Sequence, residues 1–155
     1  MPKSKPHYRK ATVRDALAVA ANLRSEDKRE IEGLGLTPLV LLFSVATSDH
    51  AVAIINQDNK IAGVAGIAPD PREGVGQVWM ICTPEIKRCP REFIKQAKVW
   101  LEIAGADYTM LWNQMDARND LHHKLVKMLG FKFLKLTYPP PYNLPYIEIA
   151  RLCVS

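Results

Sequence analysis

Three cations, Lys87, Arg88 and Arg91, flank Cys89 in the stretch Thr83-Pro84-Glu85-Ile86-Lys87-Arg88-Cys89-Pro90-Arg91. Guanidinium and ammonium groups at this spacing can hold an anion through side-chain contacts, and they can draw the Cys89 thiol toward thiolate. Against anion binding stand Glu85, a negative charge within the same stretch, and two prolines that donate no backbone N–H. An ordinary solvated loop accounts for the same composition. His122 and His123 are adjacent, so on a helix they diverge by about 100° and cannot share a metal face; solvated helix histidines are the simpler reading. Cys82 and Cys89 lie seven residues apart with no His or Cys at zinc-finger spacing, and Cys82 reads as a small core hydrophobe. No phosphate loop G-x-x-x-x-G-K-[ST], dinucleotide G-x-G-x-x-G or nucleophile elbow G-x-S-x-G occurs.

The elements that must position these groups read as an α/β chain. His7 to Ala11 extends as a strand, and Thr12 then caps a helix running to about Arg24, with Asp15 three residues on and Val13, Ala16, Leu17, Ala20 and Leu23 at helical spacing. Charged Ser25 to Glu32 is a helical turn or loop closed by Gly33 and Gly35. Thr37-Pro38 opens a second helix whose buried face is Leu39, Leu42, Phe43 and Ala46. Ala51 to Ile55 and Ile61 to Ile67 form a hairpin around Asn56 to Lys60, and Val75 to Cys82 is a third strand of this group. A helix covers Arg91 to Ala104, its stripe Phe93, Ile94, Ala97, Trp100, Leu101 and Ala104, stopped by Gly105. Thr109 to Met115 is a strand. Asn119 or Asp120 caps a helix with Leu121, Leu125, Met128 and Leu129 that Gly130 ends, and Phe131 to Leu136 and Tyr146 to Leu152 are the last strands. The order is β-α-α-β-β-β-α-β-α-β-β, a mixed sheet flanked by helices.

At 155 residues, 48% hydrophobic and 24% charged, the chain has the size of one domain and excludes disorder, collagen and coiled coil. No stretch approaches the ~20 apolar residues of a membrane span, so no membrane partner is expected. Three cysteines without a C-x-x-C pair point to a reducing cytoplasm. The net charge is 21 − 16 = +5, of which Lys3, Lys5, Arg9 and Lys10 supply four before any acid appears. Residues 1–10 thus form a basic arm, able to touch nucleic acid weakly, ahead of a single domain at 11–155. The segment Tyr138-Pro139-Pro140-Pro141-Tyr142 is a polyproline rod, with docking to a partner and packing on its own domain equally open.

The element order, with Asn119, Leu125 and Leu129-Gly130-Phe131 around the last helix, resembles the Gcn5-related N-acetyltransferase fold. In that fold a Gly-Phe pair closes the corresponding helix and starts a strand that splays from its neighbour to admit the pantetheine arm of acyl-CoA; the resemblance implies a splay between the strands Val75–Cys82 and Thr109–Met115. A narrower resemblance rests on Thr37-Pro38, Cys89-Pro90-Arg91-Glu92-Phe93 and Asp116-Ala117-Arg118-Asn119 followed by Leu129-Gly130-Phe131. These stretches are similar to the acetyltransferase-like internal virion proteins of short-tailed autographivirus phages.

The resemblance implies a pyrophosphate loop of pattern R/Q-x-x-G-x-G/A where this chain has Thr83 to Pro90, without glycine. It implies a general-acid tyrosine four residues before Gly130, where this chain has Val126, and a carboxylate on the preceding strand, where Gln77 to Ile81 hold none. Asp116 and Glu92 are the nearest acids, and both read more simply as structural. The expectation is therefore a non-catalytic virion or assembly protein, in the infected host's cytoplasm and then in the particle. Its partners would be other virion proteins or further copies of itself, and it would need no cofactor. The alternative is an acyltransferase that holds acetyl-CoA through Thr83, Arg88, Arg91 and Asn119; no metal is expected under either.

Overall fold

The computed structural model describes residues 5–88 and 90–153. Lys3 of the expected arm and Cys89, with its expected thiolate, lie outside the described residues. Four residues of that arm form β1 (His7–Lys10), an edge strand rather than a free tail. Thr12 caps α1 (Val13–Ala20) as the sequence predicts: its hydroxyl accepts from the Asp15 N–H, and the Asp15 carboxylate accepts from the Thr12 N–H at 2.8 Å. Arg9 forks onto the same carboxylate at 2.7 and 2.9 Å, tying β1 to the helix start.

Helix α1 is shorter than the predicted span to Arg24. Its continuation is pulled straight because the Arg24 N–H bonds the Cys82 carbonyl at 2.9 Å. The charged stretch that reads as a helical turn or loop is a full helix, α2 (Ser25–Glu32), packed through Asp27 and Ile31. Three helices therefore precede the hairpin where two were expected. The third, α3 (Val40–Thr47), departs from expectation in phase. Thr37 to Leu39 form a tight turn, with the Val40 N–H on the Thr37 carbonyl and the Leu41 N–H on the Pro38 carbonyl. Leu41 and Val45 face the core, while Leu39 is 58% and Phe43 74% exposed.

The remaining elements match the predicted order: β2 (Asp49–Ile55), β3 (Ile61–Pro69), β4 (Val75–Cys82), α4 (Pro90–Gly105), β5 (Met110–Asp116), α5 (Asp120–Met128), β6 (Lys132–Thr137) and β7 (Tyr146–Leu152). A 3₁₀ turn, Pro84–Arg88, joins β4 to α4. The strands form one sheet in the order β1-β2-β3-β4-β5-β7-β6, antiparallel except at the β4–β5 pair. One face carries α1, α2 and α3 over Ala53, Val64 and Ile81. The other carries α4 and α5, whose Phe93, Leu101 and Leu125 pack over Cys82, Leu111 and Ile149. The α4 stripe is the predicted one: Phe93, Ala97, Leu101 and Ala104 are all buried.

Helix α5 ends in a complete Schellman motif. The Phe131 N–H bonds the Val126 carbonyl at 2.9 Å and the Gly130 N–H bonds the Lys127 carbonyl at 3.2 Å, with Gly130 at φ +87°. The proline-rich connection is a turn rather than the expected rod. Asn143 donates its N–H to the Pro139 carbonyl, and Pro140–Pro141 is cis. Pro141 sits so close to Gly35 that a Cβ there would press on its ring. The segment packs on its own domain.

Candidate functional site

The parallel β4–β5 pair stays together for only three residue pairs, Val75, Gly76 and Gln77 against Met110, Leu111 and Trp112. Beyond these the strands part. Asn113 marks the fork, its side-chain amide donating to the Val78 carbonyl at 2.6 Å where the ladder would have continued. Thr83 donates its N–H to Ala62, so alternation assigns the odd residues of β4 to β3 and the even ones to the β5 side. The Met80 peptide thus faces the opening. The Cys82 peptide is occupied: its N–H donates to Asp27 Oδ2 at 2.7 Å and its carbonyl accepts from Arg24.

A cavity of about 310 Å³ occupies the fork and is lined from both faces of the sheet. From the α4–α5 face come Met80, Ala97, Leu125, Val126 and Leu129; from the α2–α3 face come Glu30, Leu34, Leu36, Val40 and Trp79. Val126 lines the wall where the resemblance implies a tyrosine.

At the far end of the fork, α2 meets the start of α5 in a buried polar cluster. Asn119 accepts from Arg24 Nη2 at 2.8 Å and donates to Asp27 Oδ1 at 3.1 Å and Glu30 Oε2 at 2.8 Å. Arg24 Nη2 also lies 3.1 Å from Asp27 Oδ1. His122 completes the set: Nε2 is 3.2 Å from Asp27 Oδ1 and Nδ1 is 3.5 Å from Glu30 Oε2. Burial disfavours charge on His122, but the carboxylates of Asp27 and Glu30 outweigh it and hold the imidazole pKa above its usual value. This corrects the reading of His122 as a solvated helix histidine. Asp27, Cys82 and His122 place ligand atoms within 4.8 Å of one another. The Arg24 guanidinium already supplies the positive charge there, so the group is built as an ion-pair cluster.

Of the four residues expected to hold a cofactor, Thr83, Arg88 and Asn119 already have partners within the chain. Thr83 is buried, its hydroxyl donating to the Ile61 carbonyl at 2.9 Å and accepting from the Glu85 N–H. Glu85 does not point into the loop; its carboxylate accepts from Asn56 Nδ2 at 2.9 Å. Arg88 reaches Asp58 of the β2–β3 turn at 2.8 Å, and Arg91 lies exposed in the first turn of α4. The Asn119 side chain makes no capping bond to α5 because the polar cluster engages it. Of the two acids nearest by sequence, Glu92 is exposed, whereas Asp116 is buried. Burial raises the Asp116 carboxyl, but Arg118 overrides this with a side-chain fork at 3.0 and 2.8 Å and its own N–H, holding it below the usual range. Glu30, the carboxylate that does line the cavity, sits in a charged stretch whose sequence reads as a helical turn or loop.

No known family profile matches the sequence, and no curated protein does. Solved structures match over nearly the whole chain. A structure titled a putative phosphinothricin N-acetyltransferase superposes with a TM-score of 0.73 at 16% identity, covering 97% of this chain and 100% of that one. A GNAT-family acetyltransferase from Streptococcus pneumoniae gives 0.65 at 15% identity over 97% and 100% of the two chains. Spermidine N-acetyltransferase from Vibrio cholerae, solved with CoA and spermine, gives 0.65 at 10% identity over 96% and 95%. The chain has the fold of the GNAT acetyltransferases. None of these likenesses bears on the narrower phage resemblance. Among the described residues, no helix is long and apolar enough to cross a membrane.

Proposed function

We propose that the chain is an acyl-CoA-dependent N-acyltransferase. The observation that carries this reading is the open β4–β5 fork, whose cavity has a carboxylate, Glu30, in its wall. The unpaired Met80 peptide and the apolar walls Ala97, Leu125 and Val126 suit a pantetheine arm, which needs two backbone partners and otherwise apolar surroundings. The diphosphate end would lie at the start of α4, near Thr83 and Arg91, with Arg88 exchanging Asp58 for phosphate. Asn119 would serve by locking α5 to α2, not by touching the cofactor. In the transfer, the acceptor nitrogen attacks the thioester carbonyl and the C–S bond breaks. Glu30 first takes one proton from the bound ammonium so that the neutral nitrogen can attack, the second nitrogen proton passes to solvent as the amide forms, and the departing thiolate is protonated by water, since Val126 offers no hydroxyl.

Thermal denaturation with acetyl-CoA tests this: ligand at 100 times its Kd stabilises the fold by about 2.7 kcal/mol. A rise in Tm that is smaller for Arg88→Ala/Arg91→Ala is expected; an unchanged Tm at millimolar acetyl-CoA overturns the reading. A second reading, a non-catalytic scaffold contacting other virion proteins, draws on the glycine-free turn at Pro84–Arg88 and on Val126. It predicts no shift in the same experiment.

A further inference from the structure

Resting on the acyltransferase reading, we infer that the acceptor is a monoamine carried on an apolar, aromatic-sized body, its ammonium held by Glu30. The α2–α3 half of the cavity is walled by Leu34, Leu36, Val40 and Trp79. Leu36 is 45% exposed, so the entrance as well as the interior is apolar. Trp79 is a fixed wall: its indole N–H donates to Ser48 Oγ at 2.7 Å, and its ring lies against Gly66 so closely that a Cβ there would meet it at 3.0 Å.

The neutral polar side chains around this half each have one partner within the chain. Ser44 donates to the Val40 carbonyl, Gln77 to Asp70, and Gln114 accepts from Thr137. Among the described residues Glu30 is the one carboxylate in the cavity wall; its Oε2 accepts from Asn119 at 2.8 Å and faces His122, the one basic side chain there, so Oε1 is the oxygen left for a ligand. One open carboxylate oxygen beside largely apolar walls suits one ammonium on an apolar body. A polyamine would bury its second charge against leucine and tryptophan, and an acceptor bearing a carboxylate would find no free cation in the wall.

The test uses the purified full chain, with phenethylamine, spermidine and glutamate as acceptors and acetylated product measured by mass spectrometry. Phenethylamine is expected to exceed the other two in kcat/KM by about tenfold or more, the range a hydrophobic pocket supplies. Leu36→Asp, at an exposed position, should narrow or reverse that preference toward spermidine. In parallel, phenethylamine is titrated into the protein without acetyl-CoA, and binding should weaken in Glu30→Gln. Preferred acetylation of spermidine or glutamate overturns the inference, as does a preference unmoved by Leu36→Asp. Phenethylamine binding without any acetyl-CoA binding leaves the amine site standing and removes the transfer reading. Acetyl-CoA binding without an amine preference does the reverse, and binding of neither removes both.

Discussion

Replacing Asp27 by Ala should remove a large part of the protein's stability. Asp27 is fully buried and accepts from the Cys82 N–H at 2.7 Å, Asn119 at 3.1 Å and Arg24 at 3.1 Å, with His122 3.2 Å away. Alanine would take the carboxylate from the buried Arg24 guanidinium, leaving it Asn119 and the partly exposed Glu26, and would take the Asp27 acceptor from the Cys82 N–H. Removing one member of a buried ion pair costs about 3–5 kcal/mol, against a total stability of roughly 5–15 kcal/mol. With a urea m-value of about 2 kcal/mol per molar, the midpoint should fall by about 2 M. Urea unfolding followed by tryptophan fluorescence and far-UV circular dichroism measures it. The double change Arg24→Met, Asp27→Leu should recover part of the loss, because it removes one buried charge of each sign together and leaves His122 facing Glu30.

The same cluster sets a pH dependence. His122 has its folded pKa raised above 6.5, so its contribution is fully present below about pH 6.5 and is lost as pH rises through the folded value. Wild-type stability should decline on that side, and His122→Leu should flatten the decline. An Asp27→Ala cost below about 1 kcal/mol, with an unchanged pH profile, would mean that the cluster is solvated and that α2 and α5 are not joined through it.

Gly130→Ala should cost about 1–2 kcal/mol in urea unfolding, for conformation and not for space: φ is +87°, and a Cβ would meet only Arg151 Nε at 3.5 Å. Tyr146→Phe removes the hydroxyl that donates to the Glu30 carbonyl at 2.6 Å. It should lower stability by about 1–2 kcal/mol and raise the acceptor KM while leaving acetyl-CoA affinity unchanged. Glu30→Gln should reduce kcat by about 10²–10⁴-fold, again with acetyl-CoA binding retained in titration.

Local rules made the N-cap at Thr12, the α4 stripe and the Leu129-Gly130-Phe131 exit legible, since each is settled by neighbours within a few residues. The phase of α3 was not legible. Val40 to Thr47 is apolar on nearly every side, so its periodicity points nowhere, and the tight turn at Thr37 to Leu39 shifts the start that Pro38 suggested. The full extent and burial of α2 are not legible, because a charged octapeptide reads as a solvated turn or loop. Its Asp27 is buried only through Cys82 and Asn119, partners 55 and 92 residues away. The same distance hid His122 and Glu30. The fork at Asn113 was expected from the resemblance alone, and the sequence carries no local mark of it. Arg88 reads as an anion ligand and Glu85 as a charge opposing it, yet each is taken by the β2–β3 turn through Asp58 and Asn56.

The most direct test of the account is isothermal titration of acetyl-CoA into the wild-type chain and into Ala97→Trp, which fills the fork from α4. Single-site binding in the wild type that is lost in the filled variant, with the variant still folded by circular dichroism, is the predicted result. Equal binding by both proteins, or none by the wild type at millimolar ligand, would contradict it.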